Sequence, residues 1–233
     1  MTAPKLDHVN TWVFDLDNTL YPADAEIMVQ VDKRMTAFVM QLLDLDHDAA
    51  RAVQKNYWHD YGATLTGLMA NHHVDMAEFL DFVHDVDHDV IKPDPMLAEH
   101  VAAIEGKRLV FTNGSYTHAE KVIDRLGLNG LFDDLYDIKA GGYTPKPHRD
   151  SFERFTARFG FDPKGAVMFE DSARNLETAA AMGYTTVLVR AAQDIPGGET
   201  AGPGDDPAHV HYTADCLRTF LGDWRRASVK KDG

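Results

Sequence analysis

WVFDLDNTL, at residues 12–20, joins a short apolar run to two aspartates, Asp15 and Asp17, that are two positions apart. Alternate residues of a strand point the same way, so the two carboxylates converge if the strand ends just after Phe14. At about 4 Å and an effective dielectric constant near 20, two carboxylates repel by about 4 kcal/mol, so both stay ionised only beside a cation or with a shared proton. The stretch indicates a metal site or acid–base chemistry, although aspartates at strand ends also form turns and helix caps.

The composition is typical of a globular protein with an acidic surface. The chain has 233 residues, 44% of them hydrophobic, enough for one sizeable core or a core with a small inserted domain. A net charge of −14 leaves no basic stripe for a nucleic-acid polymer or an anionic membrane. The single Cys216 excludes an intramolecular disulfide, and the sequence has no apolar run of about 20 residues and no signal-like leader. We therefore expect a cytoplasmic location.

Short apolar runs alternate with helical patterns along most of the chain. The clear runs cover residues 12–14, 109–111, 167–169 and 185–189, and weaker ones cover 135–138 and 210–212. Continuous apolarity is typical of strands that are buried on both faces. Three of the helical patterns end at a glycine, namely Gly127, Gly160 and Gly183, and the first of these opens with the capping-box spacing of Thr117 and Glu120. This order predicts an α/β fold with a doubly wound, Rossmann-like parallel sheet.

The stretch from Pro22 to about Lys92 contains helical periodicity and no strand-like run. Its helical segments cover residues 27–42, 49–61, 65–69 and 76–90, and prolines flank it at both ends. We predict an α-helical cap at residues 21–93, inserted into a core formed by residues 1–20 and 94–233. Ligands of open α/β sheets bind outside the carboxyl ends of the strands, so the cap would cover Asp15 and Asp17. A helical subdomain without a gating role is the alternative.

Two features near the C-terminus are expected to carry no chemistry. Residues 194–207 are rich in glycine, proline and aspartate, which predicts a flexible surface loop. A further apolar run and a helix-like tail at residues 214–224 follow, so the loop is not a domain linker. Cys216 has no companion motif, and we interpret it as a packing residue.

Polar groups follow the other predicted strands. Residues 112–115, Thr-Asn-Gly-Ser, offer a hydroxyl and backbone N–H groups to an anion at the start of a helix. Lys146 lies between two prolines, which restrict the backbone around one cation. Glu170 and Asp171 add two carboxylates at a strand end. Each feature alone is equally well explained as a turn, a cap or a surface side chain, but their occurrence at successive strand ends indicates one active site.

Together these residues resemble the haloacid dehalogenase superfamily of aspartate-nucleophile hydrolases. The matching residues are Asp15-Leu16-Asp17-Asn18-Thr19, Thr112-Asn113-Gly114, Lys146 and Glu170-Asp171. The helical insertion after the first motif resembles the cap of one subgroup. Within that subgroup the chain is most similar to the pyrimidine 5′-nucleotidase branch, in residues 15–22, in YWHDYGATLTGL at 57–68 and in FVHD at 82–85.

The resemblance implies phosphoryl transfer through a covalent aspartyl phosphate. Asp15 would attack phosphorus, and Asp17 would protonate the leaving oxygen and then deprotonate the hydrolytic water. Thr112 and the N–H groups of Asn113 and Gly114 would hold the phosphoryl oxygens.

The resemblance also implies a positively charged environment for the phosphate. Lys146 and Mg²⁺ would offset the repulsion between the phosphate dianion and the nucleophile. The metal ligands would be Asp15, the backbone carbonyl of Asp17 and Asp171, with Glu170 close by, because Mg²⁺ prefers oxygen ligands.

Substrate choice is expected to come from the cap. Tyr57, Tyr61 and Thr64 recur at spacings of four and three, so they share one helix face unless Gly62 breaks the helix. Such a face could stack on a flat base and bind it by hydrogen bonds, but a packing stripe within the cap has the same pattern. Tyr21, which follows the first motif, is expected to line the entrance.

Several histidines remain outside this scheme. His84, Asp87 and His88 have helical metal-binding spacing, but nothing nearby in the sequence completes a site. We interpret them as a solvated helix face, and His72-His73 as a loop pair without chemistry.

We therefore expect a Mg²⁺-dependent phosphatase of small phosphomonoesters, most simply a nucleoside 5′-monophosphate nucleotidase with pyrimidines ahead of purines. Phosphoglycolate or a sugar phosphate is the alternative substrate, and a phosphomutase would use the same two aspartates. A dehalogenase expels a halide and needs no acid, so Asp17 favours phosphate chemistry. A non-catalytic binding protein is disfavoured because every motif residue is present. The expected partner is a small phosphorylated molecule, not nucleic acid or membrane, and the oligomeric state stays open.

Overall fold

A parallel six-stranded sheet forms the centre of the computed structural model, which describes residues 4–190 and 207–229. The strands lie in the order β3-β2-β1-β4-β5-β6. Their bounds are β1 Thr11–Phe14, β2 Lys107–Phe111, β3 Asp134–Tyr136, β4 Ala166–Glu170, β5 Thr185–Val189 and β6 Tyr212–Ala214. The predicted doubly wound parallel sheet is confirmed, and β6 begins two residues later than the weak run that predicted it. The loop predicted at residues 194–207 lies, except for Pro207, outside the described residues.

Helices flank the sheet and fill the long connection from β1 to β2. Their bounds are α1 Ile27–Leu43, α2 His47–Tyr61, α3 Thr64–Asn71, α4 Met76–Val83, α5 Pro95–Ala102, α6 Tyr116–Leu126, α7 Arg149–Phe159, α8 Ala173–Met182 and α9 Leu217–Val229. The first four form the helical insertion. In the described part of the chain, none of these helices combines the length and apolarity needed to cross a bilayer.

The central strand β1 explains why the sheet is buried on both faces. All its residues are buried, and because successive side chains point to opposite faces, Trp12 and Phe14 lie in one core and Val13 in the other. Phe169 of β4 stacks on Phe14, with ring centroids 5.1 Å apart. The ladder aligns Phe14 with Val110 of β2 and with Phe169. The carboxyl ends of these three strands therefore meet at one edge of the sheet.

One local prediction inside the helical insertion is wrong, and the break at Gly62 that the sequence left open is present. The segment predicted as one helix over 76–90 ends at Val83, and a separate 3₁₀ turn covers His88–Val90. Gly62 ends α2 with a φ of 81°, and α3 begins at Thr64. Because a glycine in the left-handed region terminates a helix, the face that would unite Tyr57 with Thr64 is not continuous.

The start of α6 also differs from its prediction. Ser115, not Thr117, is the N-cap, and its side-chain oxygen accepts a hydrogen bond from the His118 N–H at 3.3 Å. Ser115 has the extended backbone that a cap residue adopts, so the helix begins earlier than the Thr117–Glu120 spacing indicates. The predicted glycine ends are confirmed, because Gly127, Gly160 and Gly183 all have positive φ.

Replacing Gly106 with alanine is expected to destabilise the protein strongly. Gly106 has a φ of 98°, and an added Cβ would overlap the Asn10 carbonyl, which accepts a hydrogen bond from the Lys107 N–H as β2 begins. The matched control is Gly130→Ala, because Gly130 has a φ of 72° but no atom within 4 Å of an added Cβ. We expect G130A to cost about 1 kcal/mol and G106A at least about 2 kcal/mol more, measured by urea denaturation. Equal losses would contradict the overlap.

Candidate active site

A buried ammonium group lies where the carboxyl ends of the central strands meet. Lys146 is 1% exposed, and its Nζ lies 2.6 Å from Asp15 Oδ1 and 2.7 Å from Glu170 Oε2. Nζ also donates to the backbone carbonyl of Phe111 at 2.8 Å. An ammonium has three N–H donors, so all three are used. The structure therefore brings three of the predicted site residues into direct contact.

Residues of the first motif hold two of the carboxylates in place. The Thr19 hydroxyl donates to Asp15 Oδ2 at 3.1 Å, and the Asn18 amide donates to Asp171 Oδ2 at 3.2 Å. Asn18 adopts a left-handed backbone, with a φ of 58°, which asparagine tolerates better than most residues. The turn after β1 thus positions both Asp15, which follows β1, and Asp171, which follows β4.

The loop after β2 holds Lys146 from its backbone side. The Asn113 amide group donates to the Lys146 carbonyl at 3.1 Å, and its Oδ1 accepts from the Lys146 N–H at 2.8 Å. The Gly114 N–H donates to the Thr112 hydroxyl at 2.8 Å. The predicted phosphoryl-binding residues thus lie at the site, with the Gly114 N–H engaged by Thr112. Their roles toward phosphate stay predictions.

Three carboxylates form a cluster that could hold a metal ion. One oxygen from each of Asp15, Glu170 and Asp171 lies within 4.8 Å of the others. Asp17, the other predicted ligand, is absent from this cluster, as expected if only its backbone carbonyl contributes. The donor set fits a hard cation, because carboxylate oxygens are the ligands that Mg²⁺ prefers.

The charge balance of the cluster favours an additional cation. Burial, and then the Glu170 charge, raise the pKa of Asp15 to about 7, although Lys146 opposes the rise. Burial and the same glutamate raise the pKa of Asp171 well above its usual range. Burial lowers the pKa of Lys146, but Asp15 and Glu170 outweigh it and raise the pKa above its usual value. One ammonium therefore faces three carboxylates and compensates them only in part.

Asp17 has a different environment from Asp15. The Tyr21 hydroxyl donates to Asp17 Oδ1 at 2.5 Å, and His118 Nε2 lies 2.9 Å from the same oxygen. Burial raises the pKa of Asp17, but the His118 charge and the hydrogen bonds from His118 and Tyr21 outweigh it and lower the pKa to about 2. Tyr21 is 2% exposed. Its predicted place at the entrance is therefore wrong, because it holds Asp17 from within the protein.

The interpretation of His84 and His88 as a solvated face is also wrong. His88 is buried, and its Nε2 lies 2.9 Å from His118 Nδ1. The His84 ring stacks on His118 with centroids 4.5 Å apart, and its Nδ1 lies 3.0 Å from Ser115 Oγ. Burial and the His118 charge lower the pKa of His84 to about 3, which keeps its ring neutral. Asp87 caps the 3₁₀ turn by accepting from the Asp89 N–H.

Sequence reasoning missed His118, which is buried and in contact with Asp17. A signal was present, because His118 lies in the first turn of the helix after β2, three residues beyond Ser115. The first turn of such a helix lies at the carboxyl edge of the sheet, where the site was expected.

The predicted substrate-binding residues of the insertion have partners within the insertion. Thr64 is buried and donates to the Gln54 carbonyl at 3.3 Å. The Tyr57 hydroxyl lies 2.8 Å from His72 Nε2, and the Tyr61 hydroxyl accepts from Asn71 at 3.0 Å. The Tyr57 and Tyr61 rings meet edge to face, with centroids 5.8 Å apart. These contacts match the packing stripe that the spacing left open, and the structure places Thr64 away from solvent.

The turn between α2 and α3 nevertheless approaches α8, the helix that follows the acidic residues at the end of β4. A Cβ at Gly62 would lie 3.8 Å from the guanidinium of Arg174, which is three residues beyond Asp171. The insertion therefore approaches the rest of the chain at Arg174 as well as at the histidines.

The chain is similar to a known hydrolase family and to proteins named for phosphate metabolism and phosphatase activity. A family model described as haloacid dehalogenase-like hydrolase matches residues 9–183. "Phosphate metabolism protein 8" of Saccharomyces cerevisiae is 28% identical over 191 residues, which cover 75% of this chain and 60% of that protein. "Enolase-phosphatase E1" of Xylella fastidiosa is 36% identical over 69 residues, 30% of this chain and 28% of that protein. The chain thus spans 60% or less of the length of these two relatives.

Solved structures share the fold at low identity. A HAD phosphatase from Thermococcus onnurineus is 20% identical with a TM-score of 0.55, over 94% of this chain and 98% of that one. An L-2-haloacid dehalogenase from Xanthobacter autotrophicus is 17% identical with a TM-score of 0.56, over 95% and 98%. The magnesium-bound putative HAD-hydrolase YfnB from Bacillus subtilis is 14% identical with a TM-score of 0.58, over 93% and 98%.

Neutralising Asp15 and Asp17 is expected to change stability in opposite directions. The folded pKa of Asp15, about 7, is above the ordinary value of 3.8, so its stabilising contribution is present at low pH and lost as pH rises through 7. The folded pKa of Asp17, about 2, is below 3.8, so its contribution is present at neutral pH and lost as pH falls toward 2. At about pH 8, Asp15→Asn should stabilise the metal-free protein, and Asp17→Asn should destabilise it by about 2 kcal/mol.

Chemical denaturation of the two variants with a chelator present measures both effects, and each variant is the control for the other. The gain from Asp15→Asn should shrink at about pH 5, where the folded wild-type carboxyl is protonated. A loss of stability in both variants at the higher pH would contradict this account of the site.

Proposed function

This chain belongs to the haloacid dehalogenase-like hydrolase family, and we propose that it is a Mg²⁺-dependent phosphatase of small phosphomonoesters with Asp15 as its nucleophile. Its curated relatives include proteins named for phosphate metabolism and for phosphatase activity. The observation that carries the proposal is the pairing of Asp15 with the buried Lys146, while Asp17, two residues away, keeps separate hydrogen-bond donors. One strand end thus offers two carboxylates in different environments, one for attack and one for proton transfer.

In the proposed reaction, an Asp15 oxygen forms a bond to phosphorus as the bond from phosphorus to the leaving oxygen breaks. Asp17 gives its proton to that oxygen, and the product alcohol departs. Asp17 then takes a proton from water as the water oxygen attacks phosphorus, which releases inorganic phosphate and restores Asp15. A bound phosphate dianion raises the pKa of Asp17, because like charges disfavour ionisation, and so allows it to carry the proton for the first step.

Charge compensation supports the metal requirement. Lys146 donates all three of its N–H groups to Asp15, Glu170 and a backbone carbonyl, so its charge is already shared by two carboxylates. A phosphate dianion would add further negative charge. Asp15, Asp171 and Glu170 would hold Mg²⁺, with the Asp17 carbonyl as a further ligand. The ion supplies positive charge that lowers the repulsion between nucleophile and phosphate.

For the cap, we propose that residues 21–93 close over a core made of residues 1–20 and 94–233. The approach of Gly62 to Arg174 supports this division, as do the contacts of His84 and His88 with α6. A cover over the acidic cluster would exclude water and strengthen its electrostatic interactions.

For the substrate, we propose a pyrimidine nucleoside 5′-monophosphate, with phosphoglycolate or a sugar phosphate as the alternative. The resemblance of residues 57–68 and 82–85 to the pyrimidine 5′-nucleotidase branch supports it. The hydroxyls of Tyr57 and Tyr61 are engaged by His72 and Asn71, so any contribution of these tyrosines to base recognition comes from their ring faces.

Phosphate release across a panel of 5′-nucleotides, sugar phosphates and phosphoglycolate tests this proposal. With Mg²⁺, we expect uridine or cytidine monophosphate to be preferred, and Asp15→Asn to lose at least about 10³-fold in kcat, because no nucleophile remains. Substantial turnover by that variant would refute the mechanism.

The matched pair for substrate recognition is Tyr61→Phe and Tyr61→Ala, since only alanine removes the ring face. If Tyr61→Ala loses nucleotide turnover and Tyr61→Phe keeps it, the result supports stacking of the base on the ring. If both Tyr61 variants hydrolyse nucleotides and sugar phosphates equally well, the result favours phosphoglycolate or a sugar phosphate as the substrate.

Divalent-cation binding should depend on pH. Asp15 has a pKa of about 7 without metal, so a proton competes with Mg²⁺ below that pH. We expect the affinity to fall by up to about tenfold for each pH unit below the pKa, measured by calorimetry on chelator-treated protein. Asp171→Asn should weaken binding at every pH, whereas Asp134→Asn, on an exposed residue of β3, should not. A pH-independent affinity would contradict the role of Asp15 as a ligand.

A further inference from the structure

A chain of buried side chains leads from the exit of the helical insertion to Asp17. His88 Nε2 lies 2.9 Å from His118 Nδ1, and His118 Nε2 lies 2.9 Å from Asp17 Oδ1. His88 is in the 3₁₀ turn after α4, and His118 is in the first turn of α6. The proposed reaction uses Asp17 but gives no role to either histidine.

The hydrogen bonds fix the orientation of the His118 ring. An ionised carboxylate only accepts hydrogen bonds, so Nε2 of His118 carries a proton and donates it to Asp17. The Nδ1 atom is then held by His88. The His84 ring, which stacks on His118 at an interplanar angle of 17°, covers one face. With both nitrogens bonded and one face covered, the ring cannot turn without breaking a buried contact.

The two donors to Asp17 bind the same oxygen. Both the Tyr21 hydroxyl and His118 Nε2 are directed at Oδ1. Oδ2 has no hydrogen bond to any residue in the described parts of the chain, 4–190 and 207–229. Oδ2 faces the loop after β2, since a Cβ at Gly114 would lie 3.6 Å from it. That loop carries the residues proposed to bind the phosphoryl group, so the unbonded oxygen faces the proposed reaction centre.

Gly114 leaves the space that this arrangement needs. The same Cβ would lie 3.3 Å from His118 Cδ2, a distance at which the neighbouring ring would have to shift. A side chain at this position would therefore crowd the His118 ring and the Thr112 hydroxyl, which lies 3.2 Å from the same Cβ.

We propose that His118 is a positioning residue: with Tyr21 it holds Oδ1 of Asp17, so that Oδ2 is directed at the leaving oxygen and the hydrolytic water. His88 acts through His118 by holding its ring. This inference rests on the proposed phosphatase function and deepens it. It also links the segment that leaves the helical insertion to the acid–base group of the core.

Two substitutions at the same position separate positioning from simple packing. In His118→Gln the side-chain amide can replace the Nε2 donor, whereas in His118→Asn the shorter amide can replace only the Nδ1 contact to His88. We expect the asparagine variant to lose about 10²–10³-fold in kcat with KM within about twofold, because acid–base catalysis contributes about this much. The glutamine variant should recover most of that loss.

A substrate with a good leaving group identifies the affected step. p-Nitrophenolate needs no proton to depart, so His118→Asn should release the first equivalent of p-nitrophenol at nearly the wild-type rate. The following steady state should be slow, because the hydrolytic water still needs Asp17 as a base. A burst that is slowed as much as the steady state would indicate a general structural defect and would overturn the proposal, as would equal kcat values for the two variants.

His88→Ala provides an independent reading if His118→Asn does not fold. We expect it to reduce kcat by only about tenfold, because it leaves the hydrogen bond from His118 to Asp17 in place. The burst of p-nitrophenol should be retained, as in His118→Asn. An unchanged kcat would remove His88 from the proposal.

The Asp15→Asn control separates this inference from the proposed function. Residual turnover in that variant, or no wild-type turnover of any ester, refutes the phosphatase and the role of His118 together. An inactive Asp15→Asn protein beside equally active His118→Gln and His118→Asn proteins refutes the positioning role alone.

Discussion

The pairing of the buried Lys146 ammonium with two carboxylates is the interaction on which the site depends. Asp15 and Glu170 come from different strands and would repel each other strongly without it. Removing the ammonium would leave two buried carboxylates uncompensated, a change that typically costs about 3–5 kcal/mol, so the approach of the strand ends depends on the charge between them. Asn113 bonds both backbone groups of Lys146 and so fixes the base of its side chain. The carboxylates at this sheet edge are thus arranged around one ammonium group. Because that group compensates their negative charge only in part, the site suits a metal ion.

Two aspartates on one strand end receive opposite environments. Burial and the neighbouring Glu170 raise the pKa of Asp15, whereas His118 and Tyr21 outweigh burial and lower the pKa of Asp17. A separation of this kind between neighbouring acids is what a reaction with distinct nucleophilic and proton-transfer roles requires. The difference does not arise from the strand, which supplies both residues in the same way. It arises from the residues that surround each carboxylate, above all Glu170 for the first and His118 for the second.

The helical insertion contacts the site through the segments that enter and leave its four helices. Tyr21 lies at the start of the insertion and bonds Asp17, and His84 and His88 follow α4 and contact the start of α6. Movement of the insertion about these connections would therefore change contacts to Asp17, the proposed proton-transfer group. The side chains expected to recognise substrate, Tyr57 and Thr64, instead hold the insertion together. The Gly62 turn instead approaches Arg174 of α8.

The sequence by itself determined the sheet, the ends of three helices and the residues that gather at the sheet edge. These features depend on local signals: continuous apolar runs for strands buried on both faces, glycines that adopt positive φ, and polar residues directly after strands. Only the tertiary structure decided the environment of Asp17 and the hydrogen-bond partners of the polar residues in the insertion. His118 and His88 are 30 positions apart and meet because α6 packs beside the exit of the insertion. Periodicity indicates which face of an element is apolar, but not which distant element covers it. The sequence therefore does not predict that packing buries Tyr21 and His88 and covers part of His84.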